Sequence, residues 1–160
     1  MQKTKEIHYE KFNDLTDLPE DEQQLIVQAR NALESAYAPY SGFEVAAAIY
    51  LENGEILVGT NQENASYGLC LCAEQNVLAT AGSQFGSVTI KKMAITARAA
   101  AKDINYPISP CGACRQVISE HEDRHQHPIK IILQGASGDI LTFQSIKELL
   151  PFSFSAKDLA

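Results

Sequence analysis

Four side chains in this sequence have types and spacings suited to metal chemistry: Cys72, Glu74, Cys111 and Cys114. Cys111-Gly112-Ala113-Cys114 places two thiols at i and i+3, on one face of a helix start. A helix N-terminus carries partial positive charge, which lowers thiol pKa values and favours the metal-binding thiolate. Cys72 opens a second predicted helix, so the same argument applies to it. Three thiolates on two helix starts suit a tetrahedral Zn²⁺ with its fourth position open, the feature that separates catalytic from structural zinc. Cys70 offers the competing closed Cys₄ site, but it lies two residues from Cys72 and outside the predicted helix, a poor spacing for a shared chelate. Glu74 follows Cys72 by two residues and falls on the first helical turn, beside a metal rather than on it. Zinc lowers the pKa of a water molecule to about 7, and a carboxylate within reach can take that proton. An acidic residue at a helix N-terminus also has a plain electrostatic reason to be there.

These residues need helices and strands to hold them. Pro19 is followed by acidic residues and by Leu25, Ala29, Leu33 and Ala36 at helical spacing, so the pattern predicts an amphipathic helix over 19–37. Phe43–Leu51 and Ile56–Thr60 read as strands joined by a tight Asn53-Gly54 turn. A second helix is expected from Cys72 to Gly82, a strand over Val88–Ala97, and a third helix from Cys111 to about His121. Ile129–Gln134 and Ile140–Phe143 read as further strands, and Ser145–Leu150 as a short last helix ended by Pro151. Strands alternating with helices imply an α/β fold, with a sheet covered on both faces.

The 160 residues suffice for one domain, and 45% hydrophobic with 21% charged residues is ordinary globular usage. We expect an N-terminal extension over 1–18 and one domain over 19–160. Residues 1–22 carry a net charge of −4 out of −7 for the whole chain and few apolar side chains, which suits a solvated arm. A phosphate backbone requires a basic surface, so this balance argues against nucleic acid and against an anionic membrane as partners. The longest apolar run, Val45–Leu51, falls short of the roughly 18–20 residues that span a bilayer. No apolar stretch follows the lysines near the N-terminus, so no secretory signal is read there and a cytoplasmic location is expected. In that reducing compartment clustered thiols bind metal or do redox work rather than form a disulfide framework.

Cys72-Ala73-Glu74, followed by Pro110-Cys111-Gly112-Ala113-Cys114-Arg115-Gln116, resembles the cytidine deaminase family of zinc enzymes. The likeness continues in Ala38-Pro39-Tyr40-Ser41-Gly42-Phe43, in Gly59–Tyr67 and in the tail Leu149-Leu150-Pro151-Phe152-Ser153-Phe154. It runs from about Pro19 to the C-terminus and is similar to the short, free-nucleoside branch. The resemblance implies a three-layer α/β/α fold around a central mixed five-stranded sheet. It also implies hydrolytic deamination of cytidine and deoxycytidine to uridine and deoxyuridine with release of ammonia, as in pyrimidine salvage. By the same resemblance Cys72, Cys111 and Cys114 are ligands of one Zn²⁺ per subunit, and Glu74 is the proton shuttle. The backbone of Ala73 and the carbonyl of Ser109 hold the pyrimidine edge and amino group, Asn61 and Glu63 hold the ribose hydroxyls, and Phe43 packs on the nucleoside. Members of this length form homotetramers with sites at subunit interfaces, and Phe154 matches the position whose ring reaches a neighbour's site, with Phe152 a competing assignment.

One departure stands out. Many three-cysteine members carry Arg directly after the catalytic Glu, where this chain has Gln75. Three thiolates outweigh the charge of Zn²⁺, so offsetting falls to helix dipoles, backbone amides, Gln75 or Arg115. A negative metal centre beside the Glu63 carboxylate is expected to disfavour phosphorylated substrates, leaving free nucleosides preferred over CMP. The alternatives are a deaminase of another cytosine nucleoside of the blasticidin S kind, a Cys111/Cys114 dithiol oxidoreductase, and a non-catalytic zinc-binding domain. The redox reading leaves Cys72, Glu74 and Asn61 without a role.

Overall fold

The computed structural model describes residues 1–159. Its regular elements are β1 (Glu10–Phe12), α1 (Glu20–Ala32), β2 (Phe43–Leu51), β3 (Ile56–Thr60), α2 (Ala73–Gln84), β4 (Ile90–Ala99), α3 (Gly112–His125), β5 (Lys130–Leu133) and β6 (Ile140–Phe143). The strands form one sheet in the order β1-β6-β5-β4-β2-β3. β4 and β5 are parallel and every other pair is antiparallel, so the sheet is mixed. The one parallel pair is connected through α3, as a parallel step requires a long crossover.

Period-two alternation builds the three layers. Ala47, Ile49, Met93, Ile95, Ile131 and Leu133 point to one face, where Val77, Leu78 and Ala81 of α2 and Ile118 of α3 cover them. Ala48, Ala94, Ile132 and Ile140 point to the other, under Leu25, Ile26 and Ala29 of α1. A strand buried on both faces reads as a continuous apolar run, which is the character of Val45–Leu51. A buried carboxylate ties α1 across the sheet: Glu22 accepts from Lys92 at 2.8 Å and from Lys130 at 2.7 Å. A second, Glu122 of α3, accepts from the backbone N–H of Ile129 and of Ile146 at 2.9 Å and from the Ser145 hydroxyl at 2.7 Å, pinning β5 and the C-terminal segment to the helix.

The expected five-stranded sheet has six strands. β1 pairs with β6 at the sheet edge within the stretch read as a solvated arm. Three residues, Glu-Lys-Phe, carry too little alternation to register as a strand, and only the open edge of β6 makes them one. The expected helix over 145–150 is a single 3₁₀ turn, Ile146–Glu148. α3 runs on to His125, past its expected end, and is closed by Gln126 in the left-handed conformation at φ 50°. The predicted hairpin turn is present, with Gly54 at φ 90° and its N–H donating to Leu51 O at 2.9 Å.

Candidate active site

Cys72 is the N-cap of α2 and Cys111 the N-cap of α3, so two helix N-termini converge on one point. The Sγ atoms of Cys72, Cys111 and Cys114 all lie within 4.8 Å of one another, and among the described residues this is the sole group of its kind. Cys111 Sγ accepts from the Cys114 backbone N–H at 3.4 Å, the pattern of a cap that also steadies a ligand. Cys111 and Cys114 Sγ are 3.4 Å apart. Hydrogen bonding with Cys114 lowers the Cys72 pKa to about 7, while the same contact, with burial, holds Cys114 above the usual thiol range. Three sulfur atoms at this spacing, facing two helix dipoles, fit a tetrahedral zinc with one position left for another ligand. Cys70 stays outside the cluster: its Sγ accepts from Asn64 N–H at 3.3 Å, so the closed Cys₄ arrangement does not form.

The approach of α2 to the sheet depends on Gly59 of β3. A Cβ there would lie 2.7 Å from Val77 N and 2.9 Å from Ala73 O. With no side chain at Gly59, the first turn of α2, carrying Ala73 and Glu74, rests directly on the strand. On the other side, Gly135 lets the chain after β5 touch the loop before α3, where a Cβ would meet Ile104 O at 2.2 Å. That loop leads through Ser109 to Cys111.

A cavity of about 290 Å³ opens beside the three sulfurs, near the small end of the range for small-molecule sites. Phe43, Asn61, Glu63, Ala73, Glu74 and Ser109 all line it together with Cys72 and Cys111. Glu74 is 4% exposed, and burial pushes its carboxyl above the usual carboxylate range. Asn61 Oδ1 accepts from Val45 N–H at 2.8 Å and its Nδ2 donates to Phe43 O at 2.9 Å, leaving one N–H and one lone pair for a ligand. Glu63 accepts from the N–H groups of Tyr40 at 2.9 Å and Ser41 at 3.2 Å and from the Ser41 hydroxyl, and these bonds hold its carboxyl below the usual range, the Ser41 hydroxyl first.

Phe154 does not line this cavity: its carbonyl accepts from Gln116 Nε2 at 2.8 Å and its ring is largely exposed, as is that of Phe152. The walls also contain Val45, Leu71, Ile95 and Ile108, which the sequence reading passed over. Val45 and Ile95 lie inside strands whose alternation marks them as core, so nothing in the sequence distinguished a cavity wall from packed interior. Arg115 spends two of its donors on main-chain carbonyls: its Nε donates to Pro110 O at 2.9 Å and its Nη1 to Leu149 O at 2.8 Å. His121 and His125 stack at 6.1 Å, and His127 Nε2 lies 3.2 Å from Lys91 Nζ; neither joins a ligand cluster among the described residues.

Comparison with known proteins agrees with this geometry. Residues 19–126 match the model of the cytidine and deoxycytidylate deaminase zinc-binding region. The chain is 42% identical over 139 residues to cytidine deaminase of Halalkalibacterium halodurans, covering 87% of this chain and 98% of that one. It is 35% identical over 134 residues to cytidine deaminase of Mycobacterium tuberculosis, covering 82% of this chain and 87% of that one. A crystal structure of cytidine deaminase from Burkholderia pseudomallei superposes with a TM-score of 0.71 at 39% identity, covering 82% of this chain and 97% of that one. Sequence, fold and sulfur cluster point the same way, and the chain belongs to the cytidine and deoxycytidylate deaminase family.

Proposed function

We propose that this protein hydrolyses cytidine and deoxycytidine to uridine and deoxyuridine with release of ammonia. One observation carries the reading: the Cys72, Cys111 and Cys114 sulfurs lie within 4.8 Å of one another, and Cys72 and Cys111 edge the same cavity that Glu74 lines. One zinc ion per subunit, held by those three thiolates, would supply the acidity that brings a water molecule's pKa to about 7. With Arg115 held by backbone carbonyls, the N-termini of α2 and α3 and the Cys114 amide offset the thiolate charge. Glu74 takes a proton from the attacking water and delivers it to N3 of the pyrimidine. Attack forms the C4–O bond; Glu74 then takes the remaining proton from the new C4 hydroxyl and passes it to the amino group, so that the C4–N bond breaks, ammonia leaves and C4 becomes a carbonyl. Buried among apolar walls, it keeps bulk water away from that transfer.

The Ala73 backbone and the Ser109 carbonyl hold the pyrimidine edge and amino group, Phe43 packs on the nucleoside, and Asn61 and Glu63 take the ribose hydroxyls with their remaining hydrogen-bonding capacity. The Glu63 carboxylate also repels a 5′-phosphate at close range, favouring free nucleosides. We place the deaminase domain at 19–160, of which 19–126 match the family model, with residues 1–18 as an N-terminal extension. Phe152, Phe154, Tyr67 and Leu69 are large apolar side chains left exposed, which supports a homotetramer whose interfaces cover them and bring Phe154 to a neighbour's site. Pyrimidine salvage in the cytoplasm is the setting this activity fits; no helix among the described residues is long and apolar enough to cross a membrane.

The test is ammonia release from cytidine by the zinc-loaded protein, with Glu74→Gln alongside. General acid–base catalysis contributes about 10²–10⁴-fold, so the variant is expected to lose at least that much kcat while retaining zinc and fold. No turnover of cytidine by the folded, zinc-loaded parent would overturn the reading and move the assay to other cytosine nucleosides.

A further inference from the structure

The segment after the 3₁₀ turn Ile146–Glu148, Leu149–Phe154, has no strand or helix of its own, yet it is held from two sides. From within the fold, α3 reaches it with the two residues that follow Cys114: Arg115 Nη1 donates to Leu149 O at 2.8 Å and Gln116 Nε2 to Phe154 O at 2.8 Å. From outside, the N-terminal arm reaches the same stretch. The His8 backbone N–H donates to Glu148 Oε2 at 2.9 Å and Lys5 Nζ to Pro151 O at 3.0 Å, with the same ammonium 5.6 Å from the centre of the Phe152 ring.

The arm is itself anchored. β1 pairs with β6, the Tyr9 ring lies 5.9 Å from that of Phe143, Lys11 Nζ lies 2.6 Å from Asp139 Oδ2, and the Thr142 hydroxyl donates to Glu10 at 3.2 Å. The arm also lies ahead of the family match, which begins at residue 19. These contacts thus bind the stretch ahead of that match to the segment that packs on the first turn of the metal-cluster helix.

We propose that residues 1–12 act as a positioning strap for the segment Glu148–Phe154, fixing where the exposed Phe152 and Phe154 rings are presented and steadying the segment against α3. An irregular segment loses conformational entropy when it is ordered, and each clip on an exposed carbonyl restrains it only weakly. Several clips from an anchored strap restrain it together. The consequence for substrate rests on the deaminase reading above and on Phe154 reaching a neighbouring site; the strap's hold on the segment does not.

The test uses a variant lacking residues 2–8, which keeps Tyr9 and β1, together with full-length Lys5→Met and its conservative counterpart Lys5→Arg. Hydrogen exchange is followed over 148–154, with β4 and β5 as internal reference, and cytidine kinetics are measured on zinc-loaded protein. Exchange over 148–154 is expected to rise about tenfold in the truncation and less in Lys5→Met, with β4 and β5 unchanged. KM is expected to rise about fivefold with kcat within about twofold, and Lys5→Arg to restore both. Unchanged exchange over 148–154 overturns the proposal whatever the kinetics show. Faster exchange with an unmoved KM reduces the arm to a structural clip and overturns its positioning role. If the intact chain fails to turn over cytidine, the deaminase reading falls, and exchange still decides whether the strap holds the segment.

Discussion

Asn61 combines two jobs in one amide. Its bonds to Val45 N–H and Phe43 O fasten the end of β3 to the start of β2, and what remains of its capacity faces the cavity. Truncation at this position therefore does more than remove the proposed ribose contact. Asn61→Ala leaves a backbone donor and acceptor without partners, which is expected to cost about 1–3 kcal/mol of stability and to raise KM for cytidine about tenfold. Thermal unfolding and steady-state kinetics measured on one preparation check both, and a KM shift with no loss of stability would contradict the geometry. Sequence reading identified Asn61 as a site residue but could not show this bracing role, because its partners are main-chain atoms of a strand 16 and 18 residues away. Phe154 shows the reverse. The motif marked it, yet within this chain only its carbonyl is engaged, and its ring lies outside the cavity.

At the scale of elements, the site depends on how closely α2 rests on β3. Gly59 sets that distance, and any side chain there meets Val77 N and Ala73 O at under 3 Å. Backbone atoms of a packed helix yield only by moving the helix, and with it Cys72 and Glu74. Gly59→Ala is expected to lose about 1–3 kcal/mol of stability and a large share of bound zinc, read by thermal unfolding and metal content. Gly68→Ala, where an added Cβ meets nothing within 4 Å, is the control expected to change neither. The sequence showed that α2 begins at the Cys72 motif, since the apolar periodicity and flanking residues say so. It gave no sign that Gly59 limits the approach, because a glycine inside a strand reads equally as a bulge, a bend or a close contact. The same limit explains β1, which owes its existence to the edge of β6 rather than to its own three residues.

At the scale of the whole molecule, the chain leaves the large apolar side chains Phe152, Phe154, Tyr67 and Leu69 exposed, candidates for burial between subunits. We expect the purified protein to sediment as a homotetramer of four 17.5 kDa chains. We also expect Phe154→Ala to raise KM without altering bound zinc. Sedimentation velocity with metal analysis checks both, and a monomer with full activity would rule out sites shared between subunits. In the six-stranded sheet β1 covers the β6 edge and leaves β3 at the other end of the order.

By itself the sequence determined which three thiols and which carboxylate are the candidates for a metal site, and the alternation of strands and helices. Each of these is written in local patterns: thiols at i and i+3, an acidic residue two positions past a capping cysteine, and apolar residues at periods of two and 3.6. Tertiary structure decided what depends on residues far apart in the chain. It brought the Cys72 sulfur to those of Cys111 and Cys114, left Cys70 outside, and gave Arg115 the carbonyls of Pro110 and Leu149 as partners. It also made a sixth strand of the N-terminal arm. Local patterns record which conformation a stretch prefers and which face it buries. Which partner a donor or a strand edge meets is set only when the layers pack.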